Sequence, residues 1–317
     1  MEGRTPTKIA VVGGAGAVGA SAAYALMMSG LVSEIVLVDL NERRAEGEAM
    51  DLMHGAPFVR PVTVRAGGYA DCADSQIVVI TAGAAQKPGE SRLDLVRKNT
   101  GIFREMIPQL AQAAPNAILL VVANPVDILT LAALDASGFP PGRVIGSGTV
   151  LDTARLRALV GQRLNIDPRS VHGYVIGEHG DSEVVVWSRA TVAGLPISEF
   201  CEQRGSECDT GMQAEISEQV RRAAYEIIER KGATYYAIGL GVRHIVEAIM
   251  RDQNTVLTVS TLMTGQFGIS DICLSLPSIV DHGGVEGVLV PKLSDEEVDA
   301  LCRSADVLKE TAQAVGL

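Results

Sequence analysis

Aromatic residues are scarce: they make up 4% of 317 residues and include one tryptophan. Any core must therefore be filled by the small and branched aliphatic residues that dominate the 47% hydrophobic content, a balance that suits helices closely packed on a buried sheet. Basic charge is also in deficit. Lys and Arg number 27 against 38 Asp and Glu, a formal net charge of -11, which argues against nucleic acid as a partner because such binding rests on cations neutralising phosphates. A small anion would have to be captured locally. Cys72, Cys201, Cys208, Cys273 and Cys302 are odd in number and lack CxxC spacing, so neither a disulfide framework nor a metal site is expected, and a reducing compartment fits. No apolar run approaches the roughly 20 residues of a membrane span. The opening segment, MEGRTPTKIAVV, lacks the basic and long apolar regions of an export signal. A cytoplasmic protein without a membrane partner is the expectation.

At 317 residues the chain is long for a single domain of roughly 100 to 200 residues, and two domains are expected. Residues 8–12 (KIAVV) and 34–38 (EIVLV) are short, β-branched and continuously apolar, as strands buried on both faces should be. The rhythm continues with QIVVITAG at 76–83, AILLVVANP at 117–125 and RVIGSG at 143–148, separated by helical patterns such as 92–113 and 127–136. Such β-α alternation predicts an α/β fold with a doubly wound parallel sheet over residues 1–150. Beyond about residue 150 the pattern changes. Helices are expected at 151–164 and 211–231, strands in 171–177, 183–192 and 268–291, and a last helix from 294, giving a mixed α+β domain over 151–317. With no linker between the halves, the cleft where they meet is the default ligand site.

The segment VVGGAGAVG places Gly14, Gly16 and Gly19 as GxGxxG directly after a strand and before a helix, where backbone N–H groups can cradle a pyrophosphate. Asp39 follows Gly19 by 20 residues at the end of the second strand. Its carboxylate can accept from a ribose diol and would repel a 2'-phosphate, so NAD is favoured over NADP. The competing reading is a glycine-rich turn with an incidental helix-capping Asp. Arg44, just beyond, could shield the adenosine phosphates or simply be a solvated helix residue.

A general acid/base is suggested by His179 in VIGEHGDSE, a strand end running into a turn. Its candidate partner is Asp152 in SGTVLDTARLR, able to fix the imidazole tautomer and stabilise its charged form. Arg155 lies one helical turn further on, and can either grip a carboxylate with paired hydrogen bonds or merely pair with Asp152. Residues 84–95 (AAQKPGESRLDL) have the composition of a lid loop, in which Arg92 could polarise a carbonyl and Gln86 could face the variable end of a substrate. The alternative is a solvated loop.

Together, GAAQKPGESRLDLVRKN, VVANPVDILT, GSGTVLDTARLR, GEHGDSE and KGATYYAIG resemble the L-lactate dehydrogenase family, bacterial members in particular, over essentially the whole chain. The resemblance implies a Rossmann domain followed by a catalytic domain. It makes His179 the acid/base, Asp152 its partner, Arg155 the carboxylate clamp and Arg92 the loop residue that polarises the carbonyl. Asn124, ahead of a cis Pro125, would bond the substrate oxygen near the nicotinamide. Val18, Tyr69, Gly83, Ala84, Val122 and Ser147 would line the cofactor path, with Ile238 on the nicotinamide and Thr234 on the substrate. The extra Gly13 also permits the GxxGxxG spacing of many malate dehydrogenases, which leaves open which glycines approach the pyrophosphate.

The implied reaction interconverts lactate and pyruvate with NAD. Malate dehydrogenase is the alternative on the same scaffold, but its second carboxylate would face the neutral Gln86, and Thr234 is bulkier than malate enzymes tend to carry. An NAD-dependent glycosidase would need metal-ligand Cys and His and a longer chain, and a non-catalytic NAD-binding protein would have no use for an intact His179, Asp152 and Arg155. A homotetramer is implied too. Arg157, turned about 200° from Arg155 around its helix, and His172 match positions that hold a phosphate of fructose-1,6-bisphosphate at a subunit interface in activated bacterial members.

Overall fold

The structure is a computed structural model describing residues 7–84, 89, 91–206 and 208–317, so Gln86 lies outside the described residues. The apolar runs of the first half form strands β1 (Lys8–Val12), β2 (Glu34–Val38), β3 (Thr63–Gly67), β4 (Ile77–Ile80), β5 (Ile118–Val121) and β6 (Val144–Gly146). They pair in parallel in the order β3-β2-β1-β4-β5-β6. Helices α1 (Ala17–Ser29), α2 (Glu42–His54), α3 (Arg92–Ala113) and α4 (Val126–Ser137) connect them. Alternate side chains go to opposite faces: Ile9, Val11, Ile35 and Leu37 into the core beneath α1, Ala10, Val12, Val36 and Val38 into the one beneath α3 and α4. Strand order reverses between β1 and β4, and a crevice at the carboxyl ends is expected there. No strand is expected at β3 from the sequence, because TVRAG lies at the sheet edge and buries little beyond Val64.

The second half begins with α5 (Val150–Leu164) and the short strands β7 (Val171–His172), β8 (Val175–Ile176), β9 (Val184–Val185), β10 (Thr191–Val192) and β11 (Leu195–Pro196). Helices α6 (Ile197–Arg204), α7 (Thr210–Lys231) and α8 (Tyr236–Met250) follow. Strands β12 (Thr255–Leu257), β13 (Ser260–Thr264), β14 (Ser270–Ser275), β15 (Ser278–Asp281) and β16 (Gly284–Val288) lead to α9 (Asp295–Ala314). Antiparallel β13 and β14 add to β6, so among the described residues the main sheet has eight strands and draws on both sides of residue 150.

Helix α8 has no counterpart in the sequence reading, yet it ties the halves together. Val242, Ile245, Val246 and Ile249 enter the core beneath α1, each burial stabilising by roughly 1.5–3 kcal/mol. Close approach is possible because residue 239 is glycine: a Cβ there would lie 2.7 Å from the Ser21 carbonyl oxygen.

Residues 92–95, read both as the end of a lid loop and as the start of a helical pattern at 92–113, are helical, because Ser91 and Asp94 form a capping box that starts α3 at Arg92. The expectation of no disulfide is corrected. Cys201 and Cys208 are joined by a disulfide. Gly205 caps α6 in the left-handed conformation and Ser206 N–H donates to the Cys201 carbonyl, so the chain doubles back and brings the two Cα atoms to 6.0 Å. Among the described residues no helix is long and apolar enough to cross a membrane.

Candidate active site

A cavity of about 540 Å³ opens at the carboxyl ends of β1, β2 and β4, lined by Gly13, Gly16, Asp39, Tyr69, Gly83 and Ala84 among others. The glycines there have different jobs. Gly13 has φ +85°, and an added Cβ would lie 2.6 Å from Ala82 N; one at Gly19 would lie 2.3 Å from the Gly13 carbonyl oxygen. Both are required by the protein's own packing. Gly16 is different. Its φ is -78°, and a Cβ would meet only the Gly13 carbonyl at 3.3 Å and otherwise project into open space. Being the N-cap of α1, it leaves the first-turn amides without a side-chain acceptor. Open space in front of unsatisfied N–H groups fits the pyrophosphate of a dinucleotide.

Asp39 anchors this loop by accepting from Ala15 N at 3.0 Å and Asn41 N at 2.9 Å. Val18 sits on the first turn of α1 against the core and is not among the cavity-lining residues. Nor is Arg44, whose exposed guanidinium pairs with Glu48 at 3.7 Å.

A second, smaller cavity of about 110 Å³ gathers Val122, Asn124, Ser147, Arg155, His179, Thr234 and Ile238 from well-separated stretches of the chain. The Asn124–Pro125 bond is cis. Behind the cavity, Asp152 is buried, its side chain 2% exposed, and bridges two partners. One oxygen accepts from His179 Nδ1 at 2.6 Å, the other from Arg155 Nη1 at 2.6 Å. Burial would raise the Asp152 carboxyl, but the charges and hydrogen bonds of His179 and Arg155 hold it below the usual range. Burial would likewise lower His179; the adjoining carboxylate outweighs it, with help from Asp127 and Glu183, and the imidazole is pushed up to about 9. At neutral pH the ring is therefore an imidazolium. Nδ1 is committed to Asp152, which leaves Nε2 as the ring nitrogen that this carboxylate does not engage, on a residue lining the small cavity.

The main chain of His179 is held as firmly as its ring. Gly177 N donates to Ser275 O at 2.8 Å, Glu178 N to Ser304 Oγ at 2.8 Å and His179 N to Asp127 Oδ2 at 2.8 Å. Asp127 also accepts from Ser260 Oγ at 2.6 Å, and burial pushes its carboxyl up to about 6 against those hydrogen bonds. Sequence reasoning did not single out Asp127, although it lies in the VVANPVDILT segment. It also missed Asn99, which donates to the Asn124 carbonyl at 3.0 Å and accepts from Ala84 N at 2.7 Å.

Arg92 stands outside the small cavity. Its guanidinium donates to Glu178 at 2.7 Å and to Asp181 at 3.4 Å, and Tyr225 Oη donates to the other Asp181 oxygen at 2.8 Å. Arg157 faces away from Arg155, as expected, into a third cavity of about 530 Å³ shared with Tyr174 and His244. There it reaches the Gly173 carbonyl at 3.5 Å. His172 is exposed on β7 and does not line that cavity.

A crevice at the carboxyl ends of a parallel sheet, with a buried histidine–carboxylate pair near it, is the arrangement of a dehydrogenase of the Rossmann type. Residues 7–146 match the lactate/malate dehydrogenase NAD binding domain and residues 149–315 the lactate/malate dehydrogenase alpha/beta C-terminal domain, so the chain belongs to this family and its cofactor is NAD. It is 54% identical over 309 residues to "L-lactate dehydrogenase 1" of Clostridium acetobutylicum, covering 98% of each chain. With the L-lactate dehydrogenase of Acetivibrio thermocellus it shares 53% over 311 residues, again 98% of each. The crystal structure of the minor L-lactate dehydrogenase from Enterococcus mundtii, in a ligand-bound form, superposes with TM-score 0.95 at 43% identity, covering 98% of this chain and 99% of that one.

Proposed function

We propose that this chain is an NAD-dependent L-lactate dehydrogenase in which His179 is the acid/base, Asp152 its orienting partner and Arg155 the carboxylate clamp. The observation that carries the assignment of roles is the double engagement of Asp152, which sets His179 and Arg155 side by side on one small cavity. NAD, when bound, supplies the hydride exchange. Pyruvate reduction uses the imidazolium: Nε2 gives its proton to the carbonyl oxygen while Asp152 stabilises the charge before transfer and keeps the ring oriented after it. Lactate oxidation needs the neutral ring, which takes the hydroxyl proton at the same atom. Arg155 is fixed through one nitrogen by Asp152 and presents the rest of its fork to the substrate carboxylate. Arg92 must leave Glu178 and Asp181 to act on the carbonyl, and a closed, water-poor site would strengthen its pull.

Preference for a substrate with one carboxylate is supported by Thr234 on the small cavity and, from the sequence, by neutral Gln86. The reading also takes residues 1–150 as the nucleotide domain, 151–317 as the substrate domain, a cytoplasmic homotetramer as the working form, and fructose-1,6-bisphosphate as an effector held through Arg157 and His172. Oxidation of NADH with pyruvate and with oxaloacetate tests the substrate: pyruvate is expected to be preferred by at least about a hundredfold in kcat/KM, and equal efficiencies refute the reading. Pyruvate saturation with and without the bisphosphate, in the parent and in Arg157→Gln, tests the effector. No response in the parent, or an equal one in the variant, removes it.

A further inference from the structure

Glu183, between His179 and β9, has no part in the proton transfer described above, yet it is 6% exposed. Its Oε1 is buried and without a hydrogen-bond partner among the described residues, an arrangement proteins seldom tolerate. The carboxyls of Glu183 and Asp152 and the ring of His179 offer atoms that all lie within 4.8 Å of one another. We propose that Glu183 is a positioning residue of the acid/base pair, a buried carboxyl whose own gain and loss of a proton biases whether His179 keeps its proton.

The charged groups facing it come from several elements. Asp152 and Arg155 lie on α5, His179 on its own segment and Arg221 on α7; Arg221 pairs with Glu218 at 2.6 Å and leaves a buried Nε unpartnered among the described residues. Asp127 on α4 stands behind His179. Burial first, then the charge of Asp152, pushes the Glu183 carboxyl up to about 8, against the pull of His179, Arg221 and Arg155. At neutral pH it is thus an uncharged acid. Asp152, imidazolium, Arg155 and a substrate carboxylate then balance to zero. When His179 gives up its proton the site carries one negative charge, and with Glu183 ionised it would carry two. As pH rises, ionisation of Glu183 therefore holds the proton on His179. Carbonyl reduction is extended to higher pH, and alcohol oxidation is held back over the same range.

This inference rests on His179 as the acid/base, and the test separates the two. Glu183→Gln keeps the shape and is neutral at every pH. Its kcat/KM for pyruvate is expected to stay within about twofold of the parent near pH 6.5; near pH 9, reduction falls and lactate oxidation rises by about three- to tenfold as both limbs move to lower pH. Glu183→Met, neutral and suited to burial, should show the same displacement. Inactivation by diethyl pyrocarbonate, with and without oxamate as a protecting substrate analogue, reads the protonation of His179 without turnover. If modification leaves activity intact, the acid/base reading fails. If it abolishes activity with an unmoved pH dependence in the variants, the role of Glu183 alone is refuted. Should neither variant fold, a simple one-proton inactivation curve in the parent refutes it equally.

Discussion

Replacing Asp152 with asparagine removes one charge from the centre of the site while keeping a carbonyl oxygen that can accept from His179 Nδ1. Raising the imidazole from its ordinary 6.5 to about 9 corresponds to roughly 3 kcal/mol in favour of the charged ring. That preference is what remains after burial has worked against it, and Asp152 is its largest source. Without Asp152 the ring should titrate at or below about 6.5. Near pH 8 the parent is then about nine-tenths imidazolium and Asp152→Asn about 3%, a loss of about thirtyfold in kcat/KM for pyruvate from protonation alone. Near pH 5.5 both rings are charged, and the deficit should shrink to whatever part comes from orientation. Steady-state rates with NADH and pyruvate across this range supply the assay. A descending limb that stays near pH 9 in the variant, or a deficit of the same size at both ends, would refute the account of Asp152 as the source of the charge preference.

Gly16→Ala should weaken NADH binding by at least about tenfold, measured by fluorescence titration, while melting close to the parent, because among the described residues its Cβ meets only the Gly13 carbonyl; Gly19→Ala should lose roughly 1–3 kcal/mol of stability through its 2.3 Å clash. Equal effects on folding would refute the division of labour among the glycines. Stability should also decline on the alkaline side. His179, raised from 6.5 to about 9, contributes stability that is complete below its unfolded value and lost as pH rises through 9, and Glu183, raised from 4.5 to about 8, acts in the same direction. Melting temperatures should fall between about pH 6.5 and about pH 9, and a flat profile there would contradict the raised values.

What was legible in the sequence follows from what leaves a local signature. Five parallel strands announce themselves because both faces are buried, so every side chain in IVVI or ILLV must be apolar. The helix start at Ser91 is written in a four-residue box. Strand β3 is illegible for the opposite reason: an edge strand need not be apolar throughout, and its Arg65 pairs with Glu34 and Asp71. The disulfide depended on a left-handed glycine that brings Cys208 back to Cys201, a tertiary event with no spacing rule of its own. The grouping of His179, Asp152 and Arg155, which the structure brings into contact, was legible because acid/base and carboxylate-binding chemistry restricts residue type. Glu183 was not, since a glutamate in a polar turn ordinarily faces water, and only the fold puts it beside Asp152.

Asp127 shows how the two halves cooperate in a way no single motif reveals. Asn124 lines the small cavity, and Asp127 opens α4 directly after it with both oxygens occupied, one by the His179 main chain and one by Ser260 on β13. The same helix start therefore positions a cavity-lining amide from the first half and the His179 main chain from the second. A displacement of α4 would move both together. Because β13 itself extends the parallel sheet through β6, the Ser260 contact ties that helix start to the sheet as well. On the proposed role of His179, precision in the distance between Nε2 and the substrate oxygen comes from the body of the fold, through a buried carboxylate that need not touch the substrate.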